Sequence, residues 1–228
     1  ETKELIRKRA KEKRNLVMST INVNWVAESH RDPSFRQAIL NSDIVVLDGK
    51  PLLWLSKMKG HPMDEVIAGS SLIQELLEDK SNREPLKIYL FGGDGDVAQQ
   101  AMSRINGEIC GLKAVGAFNP GFGPVEDMSS DEIIDAINRT QPDILLVALG
   151  AKKGTQWIEH NRYQLNVGIV SHLGATVNFL AGTIQRAPVM CRVLCLEWAW
   201  RTLLEPKLFS RYTSDGLELS RLLVQKNL

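Results

Sequence analysis

Apolar residues along the chain fall into two alternating rhythms. Short runs rich in β-branched residues, "LVMSTIN", "DIVVLD", "LKIYLFG", "LKAVGAF", "DILLVALG" and "VGIVSHLG", have the length and composition of buried strands. Between them, "DPSFRQAILNS", "SSLIQELLEDK", "DVAQQAMSRING" and "SSDEIIDAINRT" repeat apolar positions at helical spacing, as with Leu72 and Leu76 or Ile133 and Ile137. Asp32 before Pro33, and Ser130 before Asp131 and Glu132, are helix-start signals. Strands alternating with helices predict an α/β fold, a Rossmann-like, largely parallel sheet flanked by helices. Past Gly182 the pattern is helical throughout. Residues 1–182 are therefore expected to form the α/β core, opening with a basic helical segment over 1–15, and residues 183–228 a helical C-terminal appendage.

Composition narrows the class. Of 228 residues 43% are hydrophobic and 24% charged, the balance of a globular protein. No apolar run reaches the ~18 residues of a membrane span, and the charged N-terminal stretch does not read as a signal peptide. Cys110, Cys191 and Cys195 are odd in number and lack metal-type spacing, so they read as buried thiols of a reducing, cytoplasmic compartment. A net charge of +1 gives no pull toward nucleic acid. Both ends are nevertheless basic, "KELIRKRAKEKR" at the start and Arg186, Arg192, Arg201, Lys207, Arg211, Arg221 and Lys226 at the finish. Solvated helix faces account for that charge as well as partner surfaces do.

Parallel sheets bind ligands beyond the carboxyl ends of their strands. The residues expected there are Thr20 and Asn22, Asp48 and Gly49, Gly92 and Gly93, Phe118 to Gly123, Gly150 to Gln156, and His172 to Asn178. "LFGGDGDVA" is a strand, a glycine turn and a helix start, suited to phosphate. As a dinucleotide fingerprint it lacks the ribose-binding acid after the next strand, "LKAVGAFNP". Asp94 and Asp96 are either helix caps or a D-x-D cation pair. Asp48, delivered by an apolar run, is either a general base or an Asp-Gly turn. Lys152 and Lys153 read as loop lysines, free to meet phosphate or water. His172 is either a proton donor or a structural hydrogen-bonder. His30, His61 and His160 have no metal spacing, and no nucleophile elbow or Walker loop is present.

Together these stretches resemble the WecG/TagA/CpsF family of bacterial glycosyltransferases. The likeness is carried by T-x-N at Thr20 to Asn22, "SDIVVLDGKPLLWL", "LKIYLFGGDGDVA", "QPDILLVALG", "NFLAGTIQRAP" and "LEWAWRTLLEPKLFSRY". The resemblance implies an inverting, metal-independent enzyme with no cofactor, peripheral at the cytoplasmic face of the inner membrane. It would move an N-acetylmannosamine-type sugar or a relative (ManNAc, ManNAcA or glucose type) from a UDP donor to a polyprenyl-diphosphate-linked sugar, for cell-surface or exopolysaccharide synthesis.

Carried over by motif, Asp48 is the base, and Thr20, Asn22, Gly49, Gly92, Gly93, Lys152, Lys153, Gln156, His172 and Asn178 form the donor and acceptor pocket. Arg186, Arg201 and Arg211 read the diphosphate. Aromatic rings interleaved with cations in the last motif suit either packing or a membrane interface. The chain departs from the family pattern after the fifth strand, where P-x-Q-E is usual and Lys152, Gly154 and Thr155 stand instead. It also lacks the family's arginine before "V-x-G-x-D", reading "DEVIAGSSL" there, and has Asn178 where an aspartate is common before "F-x-A-G". A catalytically silent member that binds lipid-linked glycan or nucleotide in an assembly complex therefore stays open as an alternative, as does self-association. A nucleotide-cofactor oxidoreductase is a third, weaker class.

Overall fold

Six strands pair side by side, all parallel: β1 (Leu16–Ile21), β2 (Ile44–Leu47), β3 (Leu86–Gly92), β4 (Leu112–Phe118), β5 (Ile144–Ala148) and β6 (Ile169–His172), in the order β2-β1-β6-β5-β3-β4. The computed structural model describes residues 2–79, 84–107, 111–185, 187–188, 190–191, 197–206 and 208–224. The sequence expectation of a largely parallel α/β sheet holds.

Side chains alternate across the sheet because successive residues of a strand point to opposite faces. In β3, Leu86, Ile88 and Leu90 enter one core, while Tyr89 and Phe91 enter the other. In β5, Ile144 and Leu146 share the first core, and Leu145 and Val147 the second. Such strands must be apolar on both faces, and their runs are.

The first face is covered by α1 (Thr2–Lys11), α5 (Gly69–Leu77), α6 (Val97–Gly107) and α9 (Gly174–Ala181). The second is covered by α7 (Asp131–Arg139) and α8 (Ala151–Asn161). A smaller cluster of Leu47, Leu52 and Leu55 sits where β2 leads into α4 (Lys50–Met58). Two further helices, α2 (Val23–Arg31) and α3 (Pro33–Leu40), follow β1. Asp32 caps α3, accepting from Ser34 N at 2.9 Å and Phe35 N at 3.2 Å. Ser130 precedes α7 without a side-chain cap bond. The later described helices are α10 (Glu197–Leu204) and α11 (Leu208–Val224).

The basic N-terminal segment is tied into the fold. Arg7 donates to Asp79 at 3.3 Å, and Lys13 pairs with the buried Asp143 at 2.7 Å, beside Lys11 at 3.3 Å. Its charge is therefore spent largely within the molecule. Cys191 is half-buried, whereas Cys110 and Cys195 lie outside the described residues.

Trp157 of α8 is fully buried, stacks on Phe91 with ring centroids 4.4 Å apart, and donates to the Met128 carbonyl at 2.8 Å. This fixes α8, and with it the turn after β5. Trp157→Ala is expected to cost about 3–5 kcal/mol of stability, read from urea unfolding midpoints. A loss below about 1 kcal/mol would mean that α8 is held by other contacts.

Candidate functional site

All six strand ends point to one edge of the sheet, and a cavity of about 1560 Å³ opens there. That exceeds the few hundred to ~1,000 Å³ of a typical small-molecule pocket and leaves room for two substrates. Its wall is built from strand-end turns. Thr20 stands near the end of β1 and Asn22 just after it, Asp48 and Gly49 follow β2, and Gly93 and Asp94 follow β3. Asn119, Gly121 and Phe122 follow β4, Gly150, Ala151 and Lys153 follow β5, and His172 to Thr176 with Asn178 follow β6.

Asp48 is placed by the β1–β2 ladder. Ile21 lies opposite Leu47, and the Asp48 N–H donates to the Ile21 carbonyl at 2.7 Å, adding one rung beyond the strand. The half-buried carboxylate-bearing residue is thereby fixed beside Asn22. The next residue, Gly49, has φ of 113°, a conformation that favours glycine, and begins α4. Asn22 caps α2, its Oδ1 accepting from Trp25 N at 3.2 Å. Thr20 is buried.

Gly92 does not line the cavity. A Cβ there would meet the Ala148 carbonyl oxygen at 2.6 Å, so this glycine serves the approach of β3 to β5 and not that of a ligand. Gly93, with φ of 93°, is the residue of the pair that faces the cavity.

The lysines diverge. "GAKKGTQW" forms the first turns of α8, not a loop. Lys152 points away from the cavity and pairs with Asp32 at 2.5 Å. That ammonium, with the Ser34 hydroxyl, holds the Asp32 carboxyl well below the usual range, and the Lys152 pKa is raised in turn. Lys153 lines the cavity and donates to the Gly123 carbonyl at 2.8 Å. Gln156 is half-buried but not on the cavity wall.

His172 is 8% exposed, lies 5.8 Å from the Trp25 ring between centroids, and has an Nε2 with no hydrogen-bond partner among the described residues. Burial pushes its pKa down to about 4, opposed by a hydrogen bond to its own backbone. The ring is therefore neutral at pH 7, which removes the imidazolium donor envisaged from sequence. It can still offer a neutral hydrogen bond. Its space is made by glycines: a Cβ on Gly154 would overlap ring Cδ2, and one on Gly174 would lie 3.3 Å from Nε2.

Asn178 Oδ1 and its carbonyl accept from the Thr183 hydroxyl at 3.3 and 3.2 Å. Arg201 of α10 lines the cavity, donating to Glu205 at 2.6 Å and lying 5.8 Å from the Phe179 ring centroid. Arg186 and the side chain of Arg211 lie outside the described part of the structure. Among the described residues no group of three or more His, Cys, Asp or Glu side chains is gathered as for a metal.

Two wall residues escaped sequence reasoning. Trp25 is buried and packs at a tilt against both Phe35 and His172, and nothing in "NVNWVAESH" marks it as more than helix core. Asp215 of α11 is 7% exposed, lines the cavity and accepts from Asn24 at 3.1 Å. Its signal was present: Leu208, Tyr212, Asp215 and Leu219 share one helical stripe, and the acid interrupts it.

A buried neutral histidine makes stability depend on pH. Its unfolded value near 6.5 lies above the folded value of about 4. Over that window the unfolded chain takes the proton first, so stability present above pH 6.5 is lost as pH falls toward 4, by up to roughly 3 kcal/mol. Urea midpoints measured from pH 7 to 4 should fall more steeply for the natural protein than for His172→Gln. Parallel curves would show that His172 does not titrate in this way.

The whole chain, residues 1–228, matches the sequence family described as Glycosyl transferase WecG/TagA/CpsF family. A Bacillus subtilis (strain 168) protein named N-acetylglucosaminyldiphosphoundecaprenol N-acetyl-beta-D-mannosaminyltransferase is 27% identical over 198 residues, covering 87% of this chain and 75% of that protein. The protein of the same name from Bacillus spizizenii is 27% identical over 195 residues, covering 86% and 74%. That from Staphylococcus aureus (strain NCTC 8325 / PS 47) is 24% identical over 200 residues, covering 88% and 76%. With strand-end turns, an acid after β2 and a matching span this complete, the chain belongs to the WecG/TagA/CpsF family of glycosyltransferases.

Proposed function

We propose that this protein transfers a sugar from a UDP donor to a sugar carried on polyprenyl diphosphate, with inversion at the anomeric carbon, at the cytoplasmic face of the membrane. The relatives' names supply the acceptor class and suggest an N-acetylmannosamine-type donor; the altered α8 start leaves ManNAcA and glucose types within the reading. The observation that carries it is the position of Asp48, half-buried at a strand end, on the wall of a cavity that also reaches the glycine turn after β3 and the helix start after β5.

In this reading the Asp48 carboxylate takes the proton of the acceptor hydroxyl as its oxygen attacks the donor's anomeric carbon. The new C–O bond forms as the bond to UDP breaks, and UDP leaves with the electron pair. The start of α8 stands on that wall, where backbone N–H groups and the helix dipole would favour developing phosphate charge. Lys153 adds a cation at that wall, and Arg201 one from the α10 side. Fixed dipoles and cations of this kind stabilise a leaving diphosphate without a metal in this reading. Thr20, Asn22 and Asn178 supply hydroxyl and amide groups for sugar hydroxyls, and neutral His172 a further one. Lys152, Gly92 and Gln156 drop out of the pocket set.

A panel of UDP-sugars offered with a short-chain lipid-diphosphate GlcNAc, followed by mass spectrometry, should yield one product heavier by a single sugar. Asp48→Asn should lower turnover about 10²–10⁴-fold, the usual worth of a positioned base. No transfer from any donor would instead favour a binding member of the family, whereas full turnover by the variant would remove Asp48 as the base.

A further inference from the structure

Helix α4 leaves the cavity wall at Gly49 and turns an unusual face to solvent. At 100° per residue, Leu52 and Leu55 lie on one side, and both are buried. Lys50, Trp54, Lys57 and Met58 lie on the other. Trp54 is 57% exposed and Met58 72%, adjacent on that face at i and i+4. The helix carries two lysines and no carboxylate, Lys59 follows directly, and the next acid is Asp64. Large apolar side chains framed by cations, on a helix whose other face is packed, mark a surface built to meet a partner.

We propose that this face of α4 is a docking surface for an anionic lipid bilayer. Charge chooses the occupant: an isologous contact with a second copy would set Lys57 against its own copy, whereas anionic headgroups would pair with it. A tryptophan ring with a polar edge, a flexible methionine and snorkelling lysines are side chains that settle at the headgroup level. Position agrees with charge. Trp54 is four residues beyond Lys50, roughly 6 Å along the helix axis, and Met58 roughly 12 Å. Lys50 itself lines the cavity two residues after Asp48. A bilayer held by this face would lie close to the cavity mouth, so a headgroup-level sugar diphosphate could enter while its lipid tail stayed in the membrane. No described helix is long and apolar enough to cross a membrane, so contact of this kind would lie at the surface. The choice of partner rests on the lipid-linked acceptor proposed above; the docking itself can be tested without it.

The full chain would be titrated with vesicles of phosphatidylcholine containing 30% phosphatidylglycerol, and with phosphatidylcholine alone. Lys57→Gln should weaken binding to the anionic vesicles about fivefold, the equivalent of ~1 kcal/mol per cation at such a surface. Trp54→Ala should weaken it about tenfold or more, as expected for an aromatic ring withdrawn from the interface. Brominated acyl chains should quench a tryptophan signal that Trp54→Phe removes. None of these side chains lines the cavity, so turnover on a water-soluble short-chain acceptor should be unchanged, while turnover on long-chain acceptor in vesicles falls. Unaltered vesicle binding by the triple variant Trp54→Ala, Lys57→Gln, Met58→Ala would overturn the proposal. So would light scattering in which the natural protein is an oligomer that this variant dissociates, since the face would then join copies. If transfer to lipid-linked acceptor is never seen yet binding through Trp54 persists, docking stands and the substrate reading falls.

Discussion

A parallel sheet has a direction, and the rest of this molecule follows from it. Because every strand runs the same way, all six carboxyl ends arrive at one edge, and each must turn there into a helix or loop that leads back. The strands can do so only because both sheet faces are sealed, one by α1, α5, α6 and α9 and the other by α7 and α8. The turns at that edge then have no apolar work left, and polar residues and glycines can occupy them. Asp48 owes its place to this arrangement: a ladder of apolar residues carries it to the rim, and one further backbone bond stops it there.

Electrostatically the rim is graded. Its floor near β6 is apolar and holds a neutral imidazole, whereas Lys153 and Arg201 stand on walls that approach from β5 and from α10. The Arg201 guanidinium already shares a carboxylate with Glu205, so an arriving diphosphate would compete with that pair rather than meet a bare cation. Asp215, buried on the α11 side, places a second acid in the same cavity.

How much of this could be read from sequence depended on how local each cause was. Strand β3 coincides with its apolar run because a strand buried on both faces needs little beyond its own composition, and the edge strand β4 coincides with its run as well. The helix start at Ala151 reads as a loop in sequence because Gly150 offers no capping side chain and Gly154 interrupts the first turns. Gly154 is there for the His172 ring, a reason that lies 18 positions further along the chain. Lys152 looked available for phosphate, yet Asp32, more than a hundred residues earlier, claims it. Gly92 and Gly93 are indistinguishable in sequence, and only the neighbouring strand separates a packing glycine from a cavity one. Asp215 was visible as a break in a helical stripe, but the stripe's partner was not.

The turns after β3, β4 and β5 are laced to one another: Asn119 reaches back to the Gly95 carbonyl at 2.8 Å, and Lys153 to that of Gly123 at 2.8 Å. Three of the rim's segments therefore behave as a single stiff collar. Between α2 and α11 the polar ties are the Asn24–Asp215 bond at 3.1 Å and a longer Arg31–Ser214 bond at 3.5 Å, with Leu219 resting on the small apolar cluster beside α4. A bulky molecule in the cavity would therefore meet a laced frame on the β3–β5 side and, opposite, a helix secured to the core through α2.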